Sequence, residues 1–144
     1  MIRLATVDDI TELLRMSESF FNASGYGKVT TFNREDSKSV LLSLIEQETI
    51  LTDGLGGMIG FLVFPMFMNT SYMLSQELFW WVDPDKRKSS FGIGLLKAAE
   101  KQSKLKGANS MIMLSINDLD GSKVNGIYER LGYKRQEQSY MRKL

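Results

Sequence analysis

The sequence predicts an α/β fold in which one mixed sheet carries helices on both faces. Two observations predict it. Strand-like apolar runs alternate along the chain with segments whose apolar residues recur at helical spacing. At Val82–Leu96 a buried strand passes through a basic turn rich in small residues into the first turn of an amphipathic helix. No linker, repeat or low-complexity stretch divides the 144 residues, so 1-144 reads as a single domain large enough for a real core.

Taken in order, Ile2 to Ala5 is a short strand. Thr6 caps a helix, with Asp9 three residues on as its partner. Ile10, Leu13, Leu14, Ser17, Phe20 and Phe21 then come at helical spacing, and the helix fades over Asn22–Gly25. Gly25–Thr31 is a loop, and Asn33 caps a second helix carrying Val40, Leu41, Leu44 and Ile45. Thr49–Thr52 and Met58–Phe64 are strands joined by the turn Asp53-Gly54-Leu55-Gly56-Gly57. The glycines there nearly spell a dinucleotide fingerprint. The last falls at Gly60, one residue late, and the residues after it are strand-like, so the segment is a hairpin turn. Pro65–Ser75, with Met66, Met68 and Met73, reads as irregular, and Glu77–Val82 as a strand. A helix from about Ser90 to Lys106 buries Ile93, Leu96, Ala98 and Ala99. Gly107 ends it, and Ser110–Ile116 is a further strand. A short helix, Ser122–Leu131, buries Val124, Ile127, Tyr128 and Leu131 and closes on Gly132, with Tyr133–Leu144 as a last strand. The order is β-α-α-β-β-β-α-β-α-β.

Composition narrows the chemistry. Lys and Arg total 18 against 17 Asp and Glu, and a net charge of +1 speaks against nucleic acid as a partner. The chain has neither Cys nor His, which removes disulfides, thiolate chemistry, Ser-His-Asp and Cys-His nucleophiles and imidazole catalysis. Proton transfers then fall to Glu, Asp, Tyr or water. The longest apolar run, Met58–Met68, contains Gly60 and Pro65 and is shorter than a membrane helix of about 20 residues. With no signal-peptide pattern at the start, the expectation is a cytoplasmic protein with no membrane partner. Asn117-Asp118-Leu119-Asp120-Gly121 hints at a calcium loop. On that template the first and last ligand positions would be Ile116 and Ile127, so no metal is expected and Asp120 reads as a helix cap.

The turn after Val82 is the chemical centre of the chain. Unpaired N–H groups at a helix start, together with the helix dipole, favour an anion, and Lys86, Arg87 and Lys88 reinforce the sign. The alternative reading of the three cations is a solvated loop.

Two motifs are similar to those of the GNAT N-acetyltransferase superfamily. Arg87-Lys88-Ser89-Ser90-Phe91-Gly92 resembles its acetyl-CoA motif of Arg or Gln, two residues, Gly, one residue, Gly or Ala. Ser90 stands for the first Gly, and Leu95 and Leu96 come after it in the family's register. Ile127-Tyr128-Glu129-Arg130-Leu131-Gly132-Tyr133 resembles its Tyr-Glu-x-x-Gly-Phe ending. Gly121 stands where many members carry a cofactor-contacting Asn, with Asn117 and Ser122 nearby. The element order agrees from Ile2 to Leu144.

This resemblance implies a mostly antiparallel sheet and acetyl transfer from acetyl-CoA to a primary amine by direct attack in a ternary complex. Coenzyme A carries about four negative charges, which suits the turn. Arg87, Lys88, Ser89, Ser90, Phe91 and Gly92 would hold it, with the pantetheine arm on the backbone near Trp81 and Val82. Tyr128 matches the family's general acid, although an aromatic at helical spacing with Val124, Ile127 and Leu131 also simply packs. Glu77, among Leu78, Phe79, Trp80 and Trp81, is placed to be a base whose pKa burial raises. The alternatives are a strand-end carboxylate, one that holds a cationic substrate, or a water relay in its stead. Trp80 and Trp81 alternate faces and read as packing. Phe20–Tyr26 and Pro65–Ser75 flank the family's acceptor entrance and read either as an acceptor pocket or as core filler. The acceptor is a small-molecule or peptide amine, and a homodimer is compatible with the family. A second reading keeps the fold as a non-catalytic module that binds coenzyme A or a protein.

Overall fold

The computed structural model describes Met1–Leu144. Its elements are β1 (Arg3–Leu4), α1 (Ile10–Ser24), α2 (Arg34–Glu46), β2 (Ile50–Thr52), β3 (Gly57–Met66), β4 (Asn69–Val82), α3 (Phe91–Leu105), β5 (Ser110–Ile112) and α4 (Gly121–Arg130). The expected class holds: one sheet in the order β1-β2-β3-β4-β5, antiparallel except for the parallel β4–β5 pair.

The starts of the first two helices obey the sequence signals. The Asn33 side chain accepts the Asp36 N–H at 3.0 Å. The Asp9 carboxylate accepts the Thr6 N–H at 2.8 Å and is gripped by both ends of the Arg3 guanidinium, at 2.7 and 2.9 Å, which ties β1 to the start of α1. Period-two alternation in the strands builds two cores. Ile50, Met58 and Trp81 pack under Leu13, Leu14 and Met16 of α1 and Leu41 and Leu44 of α2. Leu51, Ile59, Phe61 and Val82 pack under Leu95, Leu96 and Ala99 of α3 and Tyr128 of α4. Two glycines in and beside the rejected fingerprint have packing reasons. A Cβ at Gly57 would collide with the Phe91 ring, and one at Gly60 with the ring of Phe79, its partner across the ladder.

Three expectations need correction. Pro65–Ser75 is not irregular: β3 and β4 run through it as one long hairpin, turning at Phe67 and Met68, with a register shift beside Pro65 where the ladder loses an N–H. The strand over Ser110–Ile116 stops at Ile112. Tyr133–Leu144 forms no strand; Lys134 to Ser139 are all polar and exposed, so they offer no apolar face to hold them against the sheet.

Phe61 is fully buried at the centre of the α3-side core. Phe61→Ala is expected to lower unfolding stability by about 3–5 kcal/mol, read from urea denaturation, without changing the fold of what remains.

Candidate active site

The turn between β4 and α3 is braced before it meets any ligand. Asp53 in the β2–β3 turn accepts the N–H groups of Leu55, Gly56 and Gly57 on one oxygen and pairs with Lys86 at 2.8 Å on the other. Burial pushes the Asp53 pKa up, but Lys86 and those three N–H groups more than reverse this and bring it down to about 2. Asp83 is held by Arg15 at 2.6 Å and by the Trp81 indole N–H at 2.8 Å. Lys86 is therefore a structural cation, a correction to its reading as part of the anion site. Arg87 donates through Nε to the Val82 carbonyl at 2.7 Å and lies 4.7 Å over the Trp81 ring, with its two terminal nitrogens free of protein partners. Lys88 is exposed and makes no ion pair. At the start of α3 the first backbone bond comes from Gly94 N–H to Ser90 O, so the Gly92 and Ile93 N–H groups have no partner.

Beside this turn the sheet opens. The β4–β5 ladder pairs Leu74 with Ser110, Ser75 with Met111 and Gln76 with Ile112, and then the strands part. A cleft of about 170 Å³ fills the gap, with Arg87, Ser89 and Gly92 at one end and Glu77, Leu114 and Tyr128 at the other. Glu77 is 5 % exposed, and its Oε2 accepts the Leu114 N–H at 2.9 Å. Burial pushes its pKa up to about 7, against the lowering effect of that N–H and of the Tyr128 hydroxyl beside it. Tyr128 donates to the Leu114 carbonyl at 2.6 Å. Burial first, then the neighbouring Glu77 charge, raises its pKa far above that of an ordinary phenol. The Trp80 indole lies against Tyr128, ring centroids 6.0 Å apart, and reaches the start of α3, where its ring edge is 3.5 Å from a Cβ built on Gly92. Its buried N–H has no partner in the protein.

A second, larger cavity of about 910 Å³ lies on the far side of the Leu114–Ile116 segment, bounded by Tyr26 and the tail from Tyr133 to Met141. Leu114, Ile116 and Tyr128 wall both spaces. Lys28 pairs with Asp118 at 2.9 Å and links the α1–α2 loop to the β5–α4 loop.

By sequence the chain matches no family model and no curated protein. By structure it is similar over its full length to solved acetyltransferases. One from Trypanosoma brucei superposes with a TM-score of 0.73 at 18 % identity, over 100 % of this chain and 99 % of that one. A GCN5-related N-acetyltransferase from Ralstonia eutropha gives 0.71 at 17 %, over 99 % and 97 %. An acetyltransferase with acetyl-CoA from Clostridium acetobutylicum gives 0.73 at 12 %, over 98 % and 94 %. The fold is that of the GNAT acetyltransferases.

On the GNAT frame, the residues singled out from sequence divide. Trp81, Val82, Arg87, Ser89 and Gly92 line the cleft together with Glu77 and Tyr128. Lys88 and Ser90 sit on the outer side of the turn, and Phe91 points instead toward Gly57, with its ring 5.6 Å from Lys86 Nζ. Asn117 lines the second cavity, and Ser122 is exposed and lines neither. Gly121 is tightly packed: a Cβ there would stand 3.2 Å from the Ile116 carbonyl oxygen. Asp120 occupies the cap position of α4, but its side chain makes no capping bond and lines the cleft. Phe20 reaches the cleft and Tyr26 the second cavity, whereas Pro65–Ser75 lines neither. Three features are not legible as site residues in the sequence reading. Lys123 adds a cation to the cleft, Leu114 supplies a backbone, and Trp80 supplies an orphan donor. Only Lys123 leaves a readable signal, as a charge on the otherwise apolar side of α4 that also carries Val124 and Ile127.

Glu77 gives a pH signature. Its folded pKa lies above the unfolded value of 4.5, so between those values the folded state holds a proton that the unfolded state has lost. Stability is then expected to fall as pH rises from 4.5 to about 7, by up to about 3 kcal/mol. Denaturation across that window should show the decline in the wild type and a much flatter curve in Glu77→Gln.

Proposed function

We propose that residues 1-144 form one N-acetyltransferase domain, transferring an acetyl group from acetyl-CoA to a primary amine. The observation that carries this reading is the cleft itself. It joins an anion-favouring helix start at one end to a buried Glu77–Tyr128 pair at the other. The residues present fit the co-substrate: unpaired N–H groups at Gly92 and Ile93, free guanidinium nitrogens on Arg87, Lys123 nearby and an unmatched Trp80 N–H in the wall. Lys88 adds positive charge just outside. The Val82 carbonyl, which now accepts from Arg87 Nε, would hold the pantetheine arm, and Arg87 so released would turn its whole guanidinium to phosphate.

Acetyl-CoA supplies an activated acyl group on a sulfur that leaves. Glu77, through the oxygen not engaged with Leu114, takes the proton the amine sheds as its nitrogen bonds to the acyl carbon. Tyr128 gives its hydroxyl proton to the sulfur as the carbon–sulfur bond breaks. The two acts assist each other, because protonating Glu77 removes the charge that holds the Tyr128 pKa up. Glu77 then returns the proton to Tyr128. The amine enters from the second cavity, which reaches the same Tyr128 and Leu114.

The deciding experiment is calorimetric titration of acetyl-CoA into the wild type and into an Arg87→Ala, Gly92→Glu double variant. Micromolar binding that the variant loses is the expected result; absence of binding by the wild type overturns the reading. Once an amine is found by screening, Tyr128→Phe should lower kcat by about 10²-fold. Tight binding with no turnover across a broad amine panel would favour the non-catalytic module instead.

A further inference from the structure

The parting of β4 and β5 coincides with a local change in the hydrogen bonding of both chains. A continued parallel ladder would set Glu77 beside Met113 and give the next backbone groups of each strand to the other. One step earlier in the sheet, the β3–β4 register slips: Gly60 faces Phe79 and Phe61 faces Glu77, which leaves Leu78 as an extra residue. Such a bulge bends the strand and re-aims the neighbouring side chain. The Glu77 carboxylate enters the gap and takes the Leu114 N–H. From α4, the Tyr128 hydroxyl takes the carbonyl of the same residue. Both backbone groups of Leu114 are thus met by side chains from two different elements, at 2.9 and 2.6 Å. Little else fixes this residue: its own side chain is 39 % exposed and belongs to neither core.

We propose that Glu77 and Tyr128 form a polar clamp on Leu114 that holds the chain leaving β5 away from β4 and so keeps the cleft open. In this role Glu77 is a positioning residue, distinct from its proposed work as a proton acceptor. The clamp is a property of the free protein, and only the identity of the ligand in the cleft rests on the acetyltransferase reading. A carboxylate reaches further than a main-chain carbonyl, so replacing ladder bonds by this contact widens the strand spacing without leaving the Leu114 amide unpaired. Without the clamp, the segment would either lose its hydrogen bonds or close back onto β4.

The test uses the full chain and two readouts, amide exchange at Leu114 by ¹⁵N NMR and calorimetric affinity for acetyl-CoA. Glu77→Gln keeps an acceptor oxygen for Leu114. It should leave the Leu114 amide protected and the Kd within about threefold of wild type, even while turnover falls. Glu77→Leu should speed Leu114 exchange and weaken binding, each by about tenfold or more. Tyr128→Phe removes only the hydroxyl and keeps the ring against Trp80 and Tyr133. It should move both readouts the same way to a smaller degree, and it serves if the Leu variant fails to fold. Wild-type exchange rates in a folded Leu variant, or in Tyr128→Phe, overturn the clamp. So does faster exchange with unchanged affinity, because the clamp would then not shape the cleft. If the wild type binds no acetyl-CoA while exchange shows the expected pattern, the clamp on Leu114 stands and the functional reading falls.

Discussion

A three-pair parallel ladder that ends at Gln76 and Ile112 is the constraint on which the rest of the structure depends. An edge strand that leaves its neighbour needs other partners for the buried backbone groups it abandons. Here both backbone groups of Leu114, beyond β5, are satisfied by Glu77 and Tyr128, and the Val82 carbonyl at the end of β4 by Arg87. The resulting gap is lined by residues of β4, α3 and α4 and by the loop from Leu114 to Asp120, which Glu77 and Tyr128 hold at Leu114. Preorganisation of this kind suits a site that must stabilise charge as it develops.

The charges around the gap are sorted by what they are paired with. Asp53 and Asp83 neutralise Lys86 and Arg15 and lock the turn to the β2–β3 loop and to α1. That leaves the ends of Arg87 and the ammonium groups of Lys88 and Lys123 as the unspent positive charge at the α3 end. At the opposite end the environment is apolar, with Trp80, Leu114 and Tyr128 around a carboxyl that burial keeps near neutrality. One small cleft thereby joins an end lined by Arg87, Ser89 and Gly92, which favours an anion, to a buried carboxyl beside a phenol.

Much of the frame was legible in the residues. The caps at Thr6 and Asn33, the helical spacing of α1 and α3, the glycine ends at Gly25, Gly107 and Gly132 and the alternation of Trp80 and Trp81 are local features, set by backbone preference and by which face must be dry. The misreadings share a cause. Pro65–Ser75 looks irregular because Pro and Asn are weak strand formers, yet pairing across a long hairpin overrides them. The tail looks like a strand from Tyr133 and from Tyr140 onward, yet the polar run between them has nothing to bury.

By itself the sequence determined the fold class and the element order as far as α4, because each is written in short windows of adjacent residues; it also singled out the basic turn after Val82, and the family resemblance singled out Glu77 and Tyr128. Tertiary structure alone decided which of those residues stand together. It paired Lys86 with Asp53, turned Phe91 into the core and brought Glu77 and Tyr128, which are 51 positions apart in the chain, to the backbone of the same residue. Those outcomes depend on strand register and on a single bulge at Leu78, and register is a competition among distant segments that no local pattern records.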